Sequence, residues 1–303
     1  MKNKMKKVVI TGSNGLLGQS LVNLLLEEPQ KYQVIGFSKG KNRSGRTDFE
    51  YSSIDITDKK NLLKNLEEYQ PDVIINTAAM TNVDACETNK TACDLLNIDV
   101  VDTLKFFSSA NNTHLIHIST DFIFDGKKGF YKETDAPNPV NYYGKSKLKA
   151  EQILTQSNID YTILRTVLVY GKVFDMSRSN IVLWVKKSLE DKKEITIVDD
   201  QYRTPTYVED LAFACKLSID KKVVGIFNIS SNTLLSIYEI AQQIAVVFQL
   251  DKSLIKPIKT SELQQAATRP PKTGFNLKKT TEVLQFYPKS FQENLQKFKE
   301  KLT

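Results

Sequence analysis

The chain predicts a doubly wound α/β fold, a parallel sheet flanked by helices, with a smaller C-terminal α/β domain. Two observations carry that expectation. Five short apolar runs between Lys7 and Ser119 alternate with helical patterns, and such alternation is the pattern of a parallel sheet. The turn after the first run reads Thr11-Gly12-Ser13-Asn14-Gly15-Leu16-Leu17-Gly18. Glycines at that spacing, between a strand and a helix, are the context of the dinucleotide fingerprint and make the fold Rossmann-like.

The elements follow in order. Residues 7–10 form the first strand, and residues 19–28 the first helix, with Leu21, Leu24 and Leu25 on one face. Gly12 permits the tight turn, Gly15 lets the backbone approach a pyrophosphate, and Gly18 lets the helix pack close to the strand. The helix N-terminus attracts the phosphates. Residues 32–38 form the second strand. An acidic residue at its end would bind the ribose hydroxyls of NAD, and none is there. Ser38, Lys39, Lys41 and Arg43 follow instead. They either hold a 2′-phosphate, which favours NADP with NAD as the alternative, or form a solvated basic loop.

Residues 51–58 read as a third strand. Asp55 could reach the adenine amino group, or it could cap the helix over residues 59–69, for which Thr57 and Asp58 are better placed. Residues 71–79 are the fourth strand, and Ala78 and Ala79 would let a flat ligand lie against the backbone. A helix near residues 91–111 leads to the fifth strand, residues 114–119. Ligands of such sheets bind at the carboxyl ends of the strands, which directs attention to Thr120 and Asp121.

Asn141-Tyr142-Tyr143-Gly144-Lys145-Ser146-Lys147 places Tyr143 and Lys147 four residues apart, on one face of a helix. A nearby ammonium favours the phenolate and lowers a tyrosine pKa from about 10. The spacing alone is common in a chain with twelve tyrosines. Its neighbours give it meaning. The glycine loop implies a hydride source, and Thr120 could bond a substrate carbonyl or share its proton with Tyr143. Lys147 could hold the nicotinamide ribose, and Tyr143 could give the proton to the carbonyl oxygen.

Composition narrows the alternatives. The 303 residues suit one large domain or two small ones, and a net charge of +7 is spread without an aromatic-basic stripe, so nucleic-acid binding is not indicated. A diffuse positive field favours anionic small substrates. The lysines are scattered, with a mild excess at the N-terminus at Lys2, Lys4, Lys6 and Lys7. Cys86, Cys93 and Cys215 lack ligand spacing and read as buried free thiols. His114 and His117 alternate along a strand with no third ligand, so neither a metal site nor a histidine triad is expected. No apolar run reaches membrane length and no signal peptide precedes the first strand, which makes the cytoplasm the default location.

These motifs resemble those of the extended short-chain dehydrogenase/reductase superfamily, and within it the dTDP-4-dehydrorhamnose reductases. The resemblance rests on the glycine loop, Asn76-Thr77-Ala78-Ala79-Met80-Thr81-Asn82-Val83-Asp84, Ser119-Thr120-Asp121-Phe122-Ile123-Phe124-Asp125-Gly126, and Tyr143-Gly144-x-Ser146-Lys147-x-x-x-Glu151. Leu164-Arg165-Thr166 and Asp200-Gln201-x-x-x-Pro205-Thr206 extend it. It implies Thr120, Tyr143 and Lys147 as catalytic residues. It implies cofactor contacts at the glycine loop, Asp55, Ile56, Ala78, Ala79 and Met80. Substrate contacts fall on Thr120, Asp121, Asn180 and Arg269. Arg165 is either structural or part of the site. The implied reaction is NADPH-dependent reduction of a nucleotide-linked 4-keto-6-deoxy sugar, in a protein compatible with a homodimer.

The chain departs from the pattern at two places. Leu168 stands where these reductases usually carry tryptophan, and Arg203 where glycine is more usual. Arginine near this place in related epimerases holds a nucleotide diphosphate, so Arg203 joins the substrate candidates. Two rivals remain. One is sugar-nucleotide epimerisation or dehydration on the same scaffold, against which Phe122 counts because a dehydratase would carry glutamate there. The other is a non-catalytic subunit, since the chain also resembles the methionine adenosyltransferase β subunit.

In the second half, residues 207–214 begin a helix and residues 226–229 form a strand returning to the sheet edge. Residues 236–250 form an amphipathic helix with Ser236 as cap, and short helices are expected over 280–284 and 290–302. The expected division is a cofactor domain over residues 1–170, with returning segments near 198–230. A substrate domain takes 171–197 and 231–303.

Overall fold

The protein is described by a computed structural model covering residues 5–176 and 179–302. Lys2, Lys4 and the extreme ends of the two expected domains lie outside the described residues. Seven strands form one sheet: β1 (Lys6–Thr11), β2 (Tyr32–Ser38), β3 (Glu50–Ser53), β4 (Val73–Asn76), β5 (His114–Thr120), β6 (Tyr161–Thr166) and β7 (Gly225–Ile229). Their order is β7-β6-β5-β4-β1-β2-β3, and every pairing is parallel. The order runs outward in both directions from the β1/β4 junction. That junction is the topological switch point, where a crevice opens at the carboxyl ends of the strands.

Helices cover both faces: α1 (Leu16–Leu25), α2 (Lys59–Tyr69), α3 (Val100–Asn111), α4 (Tyr142–Thr155), α5 (Ile181–Glu190), α6 (Val208–Lys221), α7 (Ile237–Phe248) and α8 (Phe291–Glu300). Strand residues alternate between two cores, as the period of two requires. Val8, Ile10, Ile75 and Ile116 pack with Leu21 of α1 and Leu211 of α6. Val9, Ile74 and Leu115 pack with Leu66 of α2, Leu104 of α3 and Leu154 of α4. Val182, Ile244 and Phe298 of the C-terminal helices belong to the first of these cores, so both halves of the chain share apolar contacts.

Several elements differ from expectation for identifiable reasons. α1 starts at Leu16 rather than Gln19, because the helix begins directly on the glycine turn. β3 ends at Ser53: the Asp55 carboxylate accepts from the Thr57 N–H at 3.0 Å and its hydroxyl at 2.6 Å, which folds a turn. Asp58 then caps α2 by accepting from the Asn61 N–H. The helix expected near 91–111 is interrupted by a π turn over Leu95–Asp99. β7 returns beside β6 at the sheet edge. Ser236 and Ser290 close capping boxes on α7 and α8, and Thr280–Leu284 is a π turn. Two small ladders lie beyond the reach of pattern reading. Ile195–Val198 pairs with Ile255–Ile258, and Tyr202–Arg203 lies between Leu235–Ser236 and Lys272–Thr273.

A buried ion pair ties β6 to α4. Arg165 Nε and Nη2 donate to the Glu151 carboxylate at 3.0 and 2.7 Å, and both side chains are buried. Arg165 Nη1 also donates to the Glu133 carbonyl, and the Glu133 carboxylate accepts from the Asn228 N–H of β7 at 3.0 Å. Arg165 is therefore a structural joint. Arg165→Met should lower stability by about 3–5 kcal/mol, because Glu151 is left charged and buried. Adding Glu151→Leu should recover most of that loss. Denaturant unfolding of the single and double variants measures both, and a single variant as stable as the parent would contradict the assignment.

Candidate active site

The glycine turn at the end of β1 is built for close approach. Gly12 has φ +70°, and a methyl there would meet Ala78 backbone at 3.0 Å. A methyl on Gly18 would overlap the Gly12 carbonyl oxygen, so only glycine lets α1 lie against the turn. Gly15 is the N-cap residue and offers no side chain to the first-turn N–H groups of α1. Those donors at a helix N-terminus suit a pyrophosphate. The cradle thus fits the phosphates of a dinucleotide.

Asn14 organises the loop beside this cradle. Its Nδ2 donates to the carbonyls of Lys39 and Lys41 and to the Tyr51 hydroxyl, and its Oδ1 accepts from the Arg43 N–H at 2.9 Å. Ser38 ends β2, and the exposed Lys39 ammonium lies 2.6 Å from Asp55. Arg43 forks onto Asp175 at 2.9 and 2.7 Å. Leu17 and Ile56 are buried, Leu16 partly so. Ala78, Ala79 and Met80 follow β4 along the crevice, half-buried. Asn97, in the π turn, clamps Met80 from both sides. Its Oδ1 accepts from the Met80 N–H at 2.8 Å and its Nδ2 donates to the Met80 carbonyl at 3.1 Å.

Thr120, Tyr143 and Lys147 converge where β5 ends against α4. Asn141 caps α4 through the Gly144 N–H. A methyl on Gly144 would overlap the Phe122 carbonyl oxygen, so glycine sets how closely α4 approaches the strand end. The Tyr143 phenol is pushed well above its ordinary range, chiefly by burial, with a hydrogen bond from Thr120 acting in the other direction. This reverses the lowering expected from Lys147. The physical reason is that the Lys147 ammonium turns to His117, with Nζ 2.9 Å from Nε2. Burial brings Lys147 down to about 8, against the raising effect of Glu151.

Next to Thr120, Asp121 is buried and raised by desolvation, opposed by Arg203. Its carboxylate accepts from Thr120 at 3.1 Å and from the Thr273 hydroxyl. Arg203 lies 3.8 Å from Asp121 through Nε and is also buried. Its Nη1 donates to the Tyr202 carbonyl and its Nη2 to Gln201 Oε1, so these donors have partners within the chain. The guanidinium lies 5.4 Å above the Phe122 ring, and Phe122 meets Tyr143 edge-on at 6.0 Å. Asn180 caps α5 and donates to the Gly171 carbonyl at 2.7 Å, a structural use of a residue expected at the sugar nucleotide. Arg269 forks onto Asp84 at 2.7 and 2.6 Å. Leu168, in the tryptophan position, has φ +39°.

Three buried polar residues were given no place in the site by the sequence: Asn76, Asn97 and His117. Asn76 Oδ1 is 2.6 Å from the Thr11 hydroxyl and its Nδ2 3.1 Å from His117 Nδ1. Asn97 also reaches the Ser146 hydroxyl at 3.0 Å. The signal was their polarity within apolar strands or a helix stripe, where a buried polar group needs a partner. Cys86, Cys93 and Cys215 are free and buried.

A family model described as RmlD substrate binding domain matches residues 5–303. A dTDP-4-dehydrorhamnose reductase from Bacillus anthracis, solved in complex with NADP, superposes with a TM-score of 0.87. It is 28% identical, and the match covers 98% of this chain and 99% of that one. Among curated proteins, a probable low-salt glycan biosynthesis reductase of Haloferax volcanii is 33% identical over 263 residues, 86% of each chain. The methionine adenosyltransferase 2 subunit beta of Bos taurus is 32% identical over 261 residues, 84% of this chain and 76% of that one. With the glycine cradle at the switch point and the Tyr143–Lys147 helix beside it, the chain belongs to the RmlD substrate-binding-domain family of extended short-chain dehydrogenases/reductases.

Proposed function

We propose that this protein is an NADPH-dependent reductase of a nucleotide-linked 4-keto-6-deoxy sugar. The observation that carries the reading is the convergence of Thr120, Tyr143 and Lys147 at one strand end beside the glycine cradle. The reductase relatives support an NAD(P)-dependent oxidoreductase, and the NADP-bound Bacillus anthracis structure supports the cofactor.

The residues divide the work. Gly12, Asn14, Gly15, Leu16, Leu17 and Gly18 would hold the dinucleotide phosphates. Ala78, Ala79 and Met80 would wall its crevice, and Asp55 and Ile56 would border the adenine. Ser38 and Lys39 would face a 2′-phosphate. The chemistry that a nicotinamide would supply when bound there is hydride for the keto carbon. Burial keeps the Tyr143 proton in place at neutral pH, and a tyrosine holding its proton is an acid for the developing alkoxide. Thr120 orients the phenol and the carbonyl, and Lys147, seated against His117, would hold the nicotinamide ribose. Asp121 and Arg203 shape the floor, and Arg269 the wall formed with Asp84. We read residues 171–197 and 231–303 as the substrate lobe, with Asn180 fixing its helix.

Phe122 favours reduction over dehydration, because an aromatic ring packed between Tyr143 and Arg203 fills the position of an acid/base group. A second reading is carried by the 32% identity to the methionine adenosyltransferase 2 subunit beta: a subunit that binds a dinucleotide without turnover. Stable co-purification with a larger partner and no oxidation of NADPH by any keto sugar would favour it.

NADPH oxidation with dTDP-4-dehydrorhamnose and a panel of keto sugars tests the reading. Stoichiometric cofactor consumption is expected, whereas an epimerase or dehydratase would return its cofactor unchanged. Tyr143→Phe should lower kcat by about 10²–10⁴-fold with little change in NADPH binding, and an unimpaired variant would overturn the mechanism. The rate should fall as pH rises through about 8, where Lys147 loses its charge. Lys39→Ala should raise KM for NADPH about tenfold, the scale of one lost charge-assisted hydrogen bond, with KM for NADH unchanged. Equal effects on both cofactors would remove Lys39 from 2′-phosphate recognition.

A further inference from the structure

A row of buried polar side chains crosses the sheet beneath the site. Thr11 of β1 is in register with Asn76 of β4, and Asn76 with His117 of β5. All three lie on the face that carries Val9, Ile74 and Leu115 one level lower. Thr11 Oγ1 lies 2.6 Å from Asn76, Asn76 lies 3.1 Å from His117 Nδ1, and His117 Nε2 lies 2.9 Å from Lys147 Nζ. Each of the four residues is at most 1% exposed. On β6 the next residue in register is Ile163, so the row stops under α4.

The charged and titratable groups around Lys147 are few. Glu151 lies one turn along α4, but its carboxylate is forked onto Arg165. Cys93 approaches through Ser146, and Tyr143 lies one turn back on the same helix. From the sheet, His117 faces the ammonium, and burial with the neighbouring Lys147 charge keeps that imidazole neutral. A buried ammonium is ordinarily matched by a carboxylate, and here its hydrogen-bond partner is an uncharged ring.

We propose that His117 is a positioning residue for Lys147, seating the amine beneath the site through a neutral contact, so that the strand row rather than a carboxylate partner sets its charge. The hydrogen-bond inventory fits this role. As placed, Asn76 Oδ1 accepts from the Thr11 hydroxyl and Nδ2–H donates to His117 Nδ1, so Nε2–H faces a neutral amine. With the Asn76 amide turned end for end, Nδ1–H donates to its carbonyl and Nε2 accepts from the ammonium. Asparagine can present either end, and the Thr11 hydroxyl can donate or accept. The row therefore accommodates Lys147 charged or uncharged without moving it. A carboxylate in place of the imidazole would lock the charge on, and an apolar residue would leave the ammonium unpartnered.

The proposal deepens the reductase reading and rests on its use of Lys147, but its first test does not need turnover. The 13Cε resonance of Lys147 is titrated in the cofactor-free protein, assigned by its loss in Lys147→Arg. The parent midpoint should lie near 8. His117→Gln, which keeps a neutral acceptor, should stay close to it. His117→Leu should move the midpoint down, and His117→Glu up, each by about one pH unit or more. Equal midpoints in the Leu, Glu and parent proteins would overturn the proposal. If the Leu variant does not fold, the Gln and Glu variants decide, and equal midpoints in those two overturn it. Where a keto sugar is turned over, the alkaline limb of kcat should move in the same direction in each variant, with KM for the sugar little changed. A limb that stays put while the resonance moves would confine His117 to structure and overturn its positioning role. Shifted midpoints in a protein that turns over no keto sugar would leave the proposal standing and remove the reductase reading.

Discussion

The fork between Arg165 and Glu151 sets the rotation of α4 on the sheet. Tyr143, Lys147 and Glu151 are spaced by four, so they share one helical face. Anchoring Glu151 on β6 turns that whole face toward the carboxyl ends of the strands. At the other end of α4, Gly144 brings the helix into contact with the Phe122 backbone. With both ends held, Tyr143 and Lys147 have little freedom to drift from Thr120. The same guanidinium reaches Glu133, and through it β7, so the strand contributed by the second half of the chain is part of the same assembly.

The site holds its buried charges in three different ways. Glu151 meets a full guanidinium fork. Asp121 is shared among Thr120, Thr273 and a more distant Arg203. Lys147 meets a neutral imidazole. The first arrangement is the stiffest, because removing either partner leaves the other charged and buried alone. The third is the softest, since a proton can leave Nζ without orphaning an opposite charge. Structural stiffness and proton lability are thus given to different residues of one helix.

Much of the fold was legible because its signals are local. β2 and α2 start and end where the apolar pattern does, and the glycine spacing located the crevice. Thr120, Tyr143 and Lys147 were legible together because a strand end and a helix face can each be read from a few residues. What escaped was non-local. The His117–Lys147 contact spans 30 residues and the Arg203–Asp121 pair 82 by number, and neither partner announces the other. Arg203 shows the limit: its burial and its pairing with Asp121 depend on segments far apart in the chain, which its own neighbours do not reveal. The Tyr143 expectation turned on the direction of one ammonium, which a spacing of four does not determine.

Asn14 touches Lys39, Lys41 and Arg43 only through their main-chain atoms, two carbonyls and one N–H. The shape of that loop is therefore written in backbone, while the Lys39 and Arg43 side chains turn outward to Asp55 and Asp175. Shape and charge there can evolve separately. Substitutions at 39 or 41 can change the charge beside the crevice without disturbing the glycine cradle. Gly18, with no room for a methyl, is closed to such drift. One wall of the crevice is adaptable and the other is invariant by geometry.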